Sequence, residues 1–414
     1  MNRLVGSVFV AVLAVAFAAC SGGGGGPRCS LEGGAPLLSG TGTWPKFRGD
    51  PGNTGRATVE ILPSDSGDPE LLCGEDGALC LWRRATGGPI VASPVVGSDG
   101  TVYVGSADGK VYAYLPEGQE KWPPLETEDA IVAAFALDRE GRLYVPSGDR
   151  NLYIVDSDTG AVLRSVNLGG FLSAGPTIGG GPKDTGVAYL GTLNGAFFAV
   201  CPNAVARWGQ ALGAVSATAA IRPDGALVVG GTGDERRVRV FEPETGEALW
   251  GFSLAEGLRA SPVVDSDGTT YLADRSGSVV AVSVDGTARP GFAFDAGAPI
   301  EASPALSRDG VLYVADTAGR LWSLDSSTGD VRWVFEADGP VRSSPAIGFD
   351  SRIYFGSDSG SVFSLRDLGE SPELVWAFAT QGPVRSSPAL ASGADGTPVL
   401  YVGSEDGFLY ALRL

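Results

Sequence analysis

Three arginines and one glutamate stand at equivalent places in the second half of the sequence, one per repeat and 41 to 43 residues apart. They are Arg259, Glu301, Arg342 and Arg385. A guanidinium group presents forked donors that suit a carboxylate or a phosphate. Repeats arranged in a ring would gather these side chains on one arc. We expect the arginines either to pair with Glu301, Glu336 and Asp338 or to receive an anionic ligand or an acidic loop of a partner.

Several kinds of chemistry are excluded by composition. The chain has no histidine, so catalysis by Ser-His-Asp or Cys-His groups and metal binding by imidazole are ruled out. We find no other catalytic constellation and expect neither an enzyme nor a metal site. The net charge of −18 makes nucleic acid a poor partner, because binding to phosphates depends on clustered lysine and arginine.

The elements that position the four charged residues belong to an internal repeat. A short phrase containing Ser-Pro recurs eight times, and we call its proline place the anchor position. The anchor residues are Pro94, Phe135, Pro176, Ala219, Pro262, Pro304, Pro345 and Pro388. Each unit holds several short apolar runs separated by Gly/Asp/Ser turns. A period near 40 residues of this composition predicts the four-stranded blade of a β-propeller.

The arrangement of the blades can also be predicted. The second strand of each unit, such as "IYFGS", is almost continuously apolar, as expected of a strand covered on both faces. About twelve residues before the anchor stands an aromatic side chain in seven of the eight units and an arginine in the other. These residues are Trp82, Trp122, Arg164, Trp208, Trp250, Phe292, Trp333 and Trp376. We interpret the seven rings as packing between blades.

Ring closure follows from the two ends of the repeat region. The printed sequence ends at Leu414, just after the third strand of unit eight, whereas an extra strand containing Trp82 precedes unit one. We expect that strand to pair with residues 408–414 and to complete the last blade, which removes a free sheet edge. The sequence thus predicts a single all-β domain over residues 78–414, an eight-bladed β-propeller.

The N-terminal segment carries a targeting signal. Arg3 is followed by an apolar stretch over residues 4–17 and by "FAAC", which ends at Cys20. Such a stretch is too short for a permanent membrane helix. It resembles a bacterial lipoprotein signal, which implies that residues 1–19 are removed and that Cys20 is lipidated. An ordinary secretory signal cleaved near Ala19 is the alternative. Ser21 after the cysteine favours the outer membrane over the inner one.

Residues 20–43 are Gly-rich and predict a flexible tether, while residues 44–77 form a leader before the repeats. The 23 residues after Cys20 span about 25–30 Å as a coil. Cys73 and Cys80 lie close in sequence, and in an oxidising periplasm they are candidates for a disulfide bond. Cys29 and Cys201 remain, and they can be paired or free.

The repeat phrase, with "YVGS", "DG" and "TGxxxW" at fixed places, resembles the quinoprotein-like, or PQQ-like, β-propeller repeat over residues 78–414. The segment "WPKFRGDPGNTGR" at residues 44–56 is similar to a leader found before the first blade in that family, where a histidine commonly replaces Asn53. One branch of the family consists of quinone-dependent dehydrogenases. The other consists of outer-membrane lipoproteins of the β-barrel assembly machinery, which bind protein partners.

The chain differs from the dehydrogenase branch in lacking adjacent cysteines, long loops that build a cofactor chamber, and the Glu/Asn/Asp calcium set. The resemblance therefore implies a monomeric, membrane-tethered, non-catalytic scaffold for protein–protein interaction in the cell envelope, facing the periplasm and without a cofactor. Two alternatives stay open. One is a binder of a small anion or glycan in the central funnel, and the other is a PQQ-dependent dehydrogenase.

Overall fold

Each repeat forms a four-stranded antiparallel sheet in the computed structural model, which describes residues 50–56, 79–179, 186–232, 237–348, 350–393 and 396–414. The predicted signal segment, the predicted tether and most of the leader lie outside these ranges. The eight sheets are the blades of a β-propeller, so the predicted fold class is confirmed. No helix in the described ranges is long and apolar enough to cross a membrane.

Blades are numbered by their anchor residues, and each begins with a very short inner strand at the central channel. The inner strands are β2 (Val95–Val96), β6 (Ala136–Leu137), β10 (Thr177–Gly179), β14 (Ala220–Ile221), β18 (Val263–Val264), β22 (Ala305–Leu306), β26 (Ala346–Ile347) and β30 (Ala389–Ser392). The second strands are β3 (Val102–Gly105), β7 (Arg142–Pro146), β11 (Val187–Gly191), β15 (Leu227–Gly230), β19 (Thr270–Ala273), β23 (Val311–Ala315), β27 (Arg352–Gly356) and β31 (Pro398–Gly403). These second strands are almost entirely buried, as their apolar sequences predict.

The two outer positions of each sheet complete the blades. The third strands are β4 (Lys110–Tyr114), β8 (Asn151–Asp156), β12 (Ala196–Val200), β16 (Arg237–Phe241), β20 (Ser278–Val282), β24 (Arg320–Asp325), β28 (Ser361–Asp367) and β32 (Phe408–Arg413). The fourth, outer strands are β5 (Leu125–Glu126), β9 (Val162–Asn167), β13 (Ala206–Ala211), β17 (Ala248–Ser253), β21 (Phe294–Asp295), β25 (Val331–Glu336), β29 (Pro372–Ala379) and, for blade 8, β1 (Cys80–Ala85).

The N-terminal strand closes the ring. Strand β1 pairs antiparallel with β32, with Trp82 opposite Ala411 and Arg84 opposite Leu409. Blade 8 therefore contains both ends of the repeat region, and the predicted closure is confirmed.

The tryptophan phase of the repeat packs blade against blade, as predicted. The indole N–H of Trp82 donates to the Pro116 carbonyl of blade 1 at 2.8 Å, and that of Trp333 donates to Asp367 of blade 7 at 2.9 Å. Both rings are at least 92% buried. Gly118 lies flat against the Trp82 ring, where a Cβ atom would approach within 2.8 Å of it. The turn glycine of one blade thus makes room for the ring of the previous blade.

A ring of aliphatic residues, four positions before the anchors, joins neighbouring blades near the axis. At seven junctions between blades, the backbone N–H of the residue at this position donates to a carbonyl at the end of the preceding blade's second strand. The donors are Ile90, Ile131, Val215, Leu258, Ile300, Val341 and Val384. Their side chains also fill the space left by glycine. A Cβ on Gly403 would lie 2.2 Å from Ile90, which explains the glycine of the "YVGS" phrase.

The serine of the Ser-Pro phrase forms a second inter-blade link, which we call the serine latch. In each case a backbone N–H of one blade donates to the serine hydroxyl of the next at 2.8–2.9 Å. The donor–acceptor pairs are Thr218 to Ser261, Ser261 to Ser303, Ser303 to Ser344, Ser344 to Ser387, and Ser387 to Ser93. Ala134 and Gly175 occupy this place in blades 2 and 3 and supply no hydroxyl.

The leader crosses the channel below the latch. Carbonyl groups of Pro51, Gly52, Thr54 and Gly55 accept hydrogen bonds at 2.7–2.9 Å from the inner strands of blades 4, 5, 6 and 7 in turn. Asn53 is fully buried among them, and its amide donates to carbonyls of Thr218, Ala219 and Pro262 at 3.1–3.2 Å. Its φ of 57° is in the left-handed region, which asparagine tolerates better than most residues. We call this the closed end of the channel.

Two cysteines in the described ranges, Cys80 and Cys201, are each disulfide-bonded. Cys20, Cys29 and Cys73 lie outside the described residues, so the pairing of Cys73 with Cys80 stays a prediction.

The latch should contribute measurably to stability. Ser303→Ala leaves the buried N–H of Ser261 without its acceptor, which we expect to lower the free energy of unfolding by about 1–3 kcal/mol. Urea titration followed by tryptophan fluorescence measures the change. Ser266→Ala, in an exposed turn of the same region, is the control and should change stability by less than about 0.5 kcal/mol. Equal losses in the two variants would contradict the role of the latch.

The leader is expected to stabilise the ring through Asn53. Asn53→Ala removes three buried hydrogen bonds and places alanine, which has no polar side chain, at a positive φ. We therefore expect the free energy of unfolding to fall by about 2–4 kcal/mol. Asn53→Gly removes the same bonds without the backbone strain and should lose roughly 1 kcal/mol less. The same urea titration compares them. Wild-type stability in both variants would show that the leader does not hold the inner strands.

Candidate functional site

The charged residues predicted from the repeat meet at the open end of the channel, which we call the mouth. Arg259, Glu301, Arg342 and Arg385 stand three positions before the anchors of blades 5 to 8 and therefore lie side by side around the axis. Together with the latch serines they line a cavity of about 340 Å³. The predicted arc of guanidinium groups beside one carboxylate is present.

The arc is part of an alternating chain of charges. Arg342 contacts Glu301 at 3.1 Å on one side and Asp358 on the other. Asp358 also accepts from the Nε of Arg385 at 2.9 Å, and Arg385 reaches Glu405 at 2.8 Å. The hydrogen bond to Asp358 raises the pKa of the Arg385 guanidinium above its usual value. The chain holds Arg342 and Arg385 in place across blades 6, 7 and 8.

The sequence predicted only some of the carboxylates that pair with the arginines of the arc. Glu301 pairs with arginine as expected, but Asp338 accepts hydrogen bonds from Ser357 at 2.6 Å and from Ser361 instead. Glu336 lies on the outer strand β25, opposite Arg320. The expected pairing of the arc with Asp338 and Glu336 is therefore wrong, because Glu336 lies on the outer strand of its blade and Asp338 accepts from the neighbouring serines.

Three further mouth residues come from the turns between second and third strands: Arg275, Asp358 and Glu405. They share one repeat position, two residues after the Ala or Gly of the "YVGS" phrase. Alignment of the repeats at this second position would have identified them, because second strands run back towards the mouth and end there.

Arg259 and Arg275 are held much less tightly than the rest of the arc. Each contacts Glu301 at 3.7 Å, and their side chains are 56% and 51% exposed. Glu301 already accepts from Arg342, so three guanidinium groups share this one carboxylate. The guanidinium groups of blade 5 therefore keep donors directed to solvent.

The other half of the mouth is uncharged. Blades 1 to 3 contribute Val91, Val132 and Leu193, and Leu193 is 43% exposed. Between the two halves lie Ser173 and Ser216, whose hydroxyl oxygens are buried and have no hydrogen-bond partner in the described structure. The mouth thus combines a cationic wall, an aliphatic wall and two unpaired hydroxyl groups.

These features define an eight-bladed propeller of the quinoprotein-like type with one open, chemically divided mouth. The family model of the outer membrane protein assembly factor BamB matches residues 44–171 and 234–370. The matches cover more than half of the chain, and the chain belongs to this family. No curated protein matches the sequence at a significant level.

Solved structures with the same fold come from both branches. BamB from Moraxella catarrhalis superposes with a TM-score of 0.68 at 18% identity, over 81% of this chain and 100% of that one. Quinohemoprotein alcohol dehydrogenase from Comamonas testosteroni gives 0.71 at 13% identity, over 90% and 80% of the two chains. A europium-containing methanol dehydrogenase gives 0.72 at 14% identity, over 90% and 98%. At these identities the likeness is one of fold.

The mouth does not suit a quinone held with a metal ion. Glu301 is the one carboxylate among the described residues that line the cavity, and three guanidinium groups already surround it. Within the described ranges no group of three or more His, Cys, Asp or Glu side chains could hold a metal ion. We therefore derive no chemistry through such a cofactor.

Arg342 is expected to be a structural member of the arc. Arg342→Gln removes the shared partner of Glu301 and Asp358, whose side chains are 15% and 13% exposed, and should cost about 1–2 kcal/mol of stability at low salt. Raising NaCl to about 1 M should reduce the difference through screening. Arg366→Gln, whose exposed partner is Glu373, is the control and should have little effect. A loss that does not depend on salt would contradict an electrostatic role.

Proposed function

We propose that this protein is a membrane-tethered, non-catalytic scaffold that binds a protein partner in the bacterial cell envelope and contributes there to the assembly of outer membrane proteins. The observation that carries this proposal is family membership, since the match to the outer membrane protein assembly factor BamB includes the leader and the charged residues Glu301 and Arg342 of the mouth. The mouth supports binding rather than turnover, because its carboxylates, Glu301, Asp358 and Glu405, are all paired with arginines.

The position of the leader indicates where the N-terminal segment reaches the propeller. Asp50 lies at the closed end, beside the inner strands of blades 4 and 5, so the segment joins the propeller at that end. If Cys20 carries the lipid, the tether is joined to the propeller at the end opposite the mouth.

Photo-crosslinking in the native bacterium tests the scaffold function. A photoreactive amino acid at Leu193 samples the mouth, and one at Val284, which is 47% exposed in the turn after β20, samples the surface at the other end of that strand. We expect a discrete adduct with one envelope protein from at least one of these positions, identified by mass spectrometry. Absence of adducts from both positions, or dye reduction by the purified protein supplied with quinone, calcium and alcohols, would contradict the proposal.

Lipidation is expected at Cys20. Cells grown with an alkyne analogue of a fatty acid should label the wild-type protein and leave Cys20→Ser unlabelled, because the thiol is the acylated group. In-gel fluorescence after coupling to a dye measures this. Cys29→Ser, nine residues later in the same tether, is the matched control and should label normally. Equal labelling of Cys20→Ser and wild type would assign the segment to ordinary secretion.

A further inference from the structure

The cationic wall of the mouth is unusual for this chain. Among the ion-paired side chains of the mouth, four arginines, two of them from blade 5, face three carboxylates, so this ion-paired group carries one positive charge in excess in a protein whose net charge is −18. A cleft lined by charges of one sign raises the local concentration of ligands of the opposite sign. The excess is concentrated at Arg259 and Arg275, since the other two arginines each bridge two carboxylates.

The geometry at blade 5 leaves room for a second carboxylate. Arg259 and Arg275 approach Glu301 only at 3.7 Å and are half exposed. A guanidinium has five N–H donors, and one distant contact uses few of them. A carboxylate entering between these two side chains would gain charge-assisted hydrogen bonds without displacing Arg342 or Arg385 from the ion chain.

The opposite wall of the mouth is aliphatic and favours contact with apolar groups. Leu193 is 43% exposed at the rim of the cavity, and Val91 and Val132 stand beside it on blades 1 and 2. Covering an exposed leucine removes apolar surface from water and favours association. Ser173 and Ser216 line the cavity between the walls, and rotation about χ1 would turn their unpaired hydroxyls from these buried positions towards the polar groups of an occupant. An unpaired buried hydroxyl is costly, so a ligand that satisfies it gains.

We propose that the mouth binds an acidic segment of the partner polypeptide in which an Asp or Glu lies near aliphatic residues. Arg259 and Arg275 receive the carboxylate, Ser173 and Ser216 bond to the peptide backbone, and Leu193 covers an aliphatic side chain. A chain segment fits because the three kinds of group are spread over blades 1 to 5 around the cavity. This inference rests on the proposed scaffold function and adds the chemistry of the partner.

Selection from a random peptide library displayed on phage tests the inference with the purified propeller. We expect the selected peptides to be enriched in Asp or Glu next to Leu, Ile or Val. For a selected peptide, R259Q/R275Q should weaken binding at least tenfold in 20 mM NaCl and less in 500 mM NaCl, because half-exposed charges are screened. Leu193→Ser should weaken binding in both salts. Fluorescence anisotropy measures the affinities, and thermal unfolding checks that the variants fold.

The matched control is R289Q/R366Q, which removes the same charge at places away from the mouth: Arg289 follows a turn at the closed end and Arg366 lies on β28. It should bind like wild type. Selection without acidic enrichment, or binding by R259Q/R275Q within twofold of wild type, would overturn the inference. Competition by inorganic phosphate or octanoate at the peptide's own concentration would assign the mouth to a small anion instead.

The crosslinking experiment separates this inference from the function on which it rests. An adduct at Val284 with none at Leu193 would keep the scaffold function and refute binding at the mouth. Failure of both adducts would refute the scaffold function. An adduct at Leu193 that persists undiminished in R259Q/R275Q would leave the partner at the mouth but contradict recognition of its acidic groups.

Discussion

The contact between neighbouring inner strands is the constraint on which the rest of the structure depends. Most of these strands are two residues long, and the few backbone hydrogen bonds that they form cannot by themselves hold a ring of eight sheets together. The serine latch and the aliphatic ring add regular hydrogen bonds and packing between blades at the axis. These contacts fix the spacing of the anchor positions around the axis. The side chains three residues before the anchors therefore meet around the mouth.

The leader strengthens the same part of the ring. Its carbonyl groups reach the inner strands of blades 4 to 7, and four of the five latch bonds join blades in the range from 4 to 8. The charged arc lies on blades 5 to 8 as well. Blades 2 and 3, in contrast, lack the latch hydroxyl, and Arg164 replaces tryptophan on blade 2. The side of the ring that carries the charges is thus the more strongly connected one.

Local and periodic features were predictable from the sequence, whereas long-range polar contacts were not. The repeat predicts eight blades, buried second strands, tryptophans between blades and closure by the strand of Trp82, because each follows from residue type at a fixed phase. Of the two carboxylate partners of Arg342, Glu301 was predicted and Asp358 was not. Asp358 lies in a turn, and the sequence does not show which way the side chains of a turn are directed. The course of the leader could not be predicted, because its contacts are mostly made by backbone carbonyls, which have no signature in the sequence.

Closure of blade 8 by β1 has a consequence for the order of events during folding. Strand β1 finds its partner β32 more than 320 residues later, and Asn53 finds its acceptors more than 160 residues later. Contacts of such sequence separation form late, because the intervening chain must first be ordered. The first strand of the propeller therefore settles only after the last strand is available. Residues 50–56 likewise require the inner strands of blades 4 to 7, and the finished ring buries Asn53 among them.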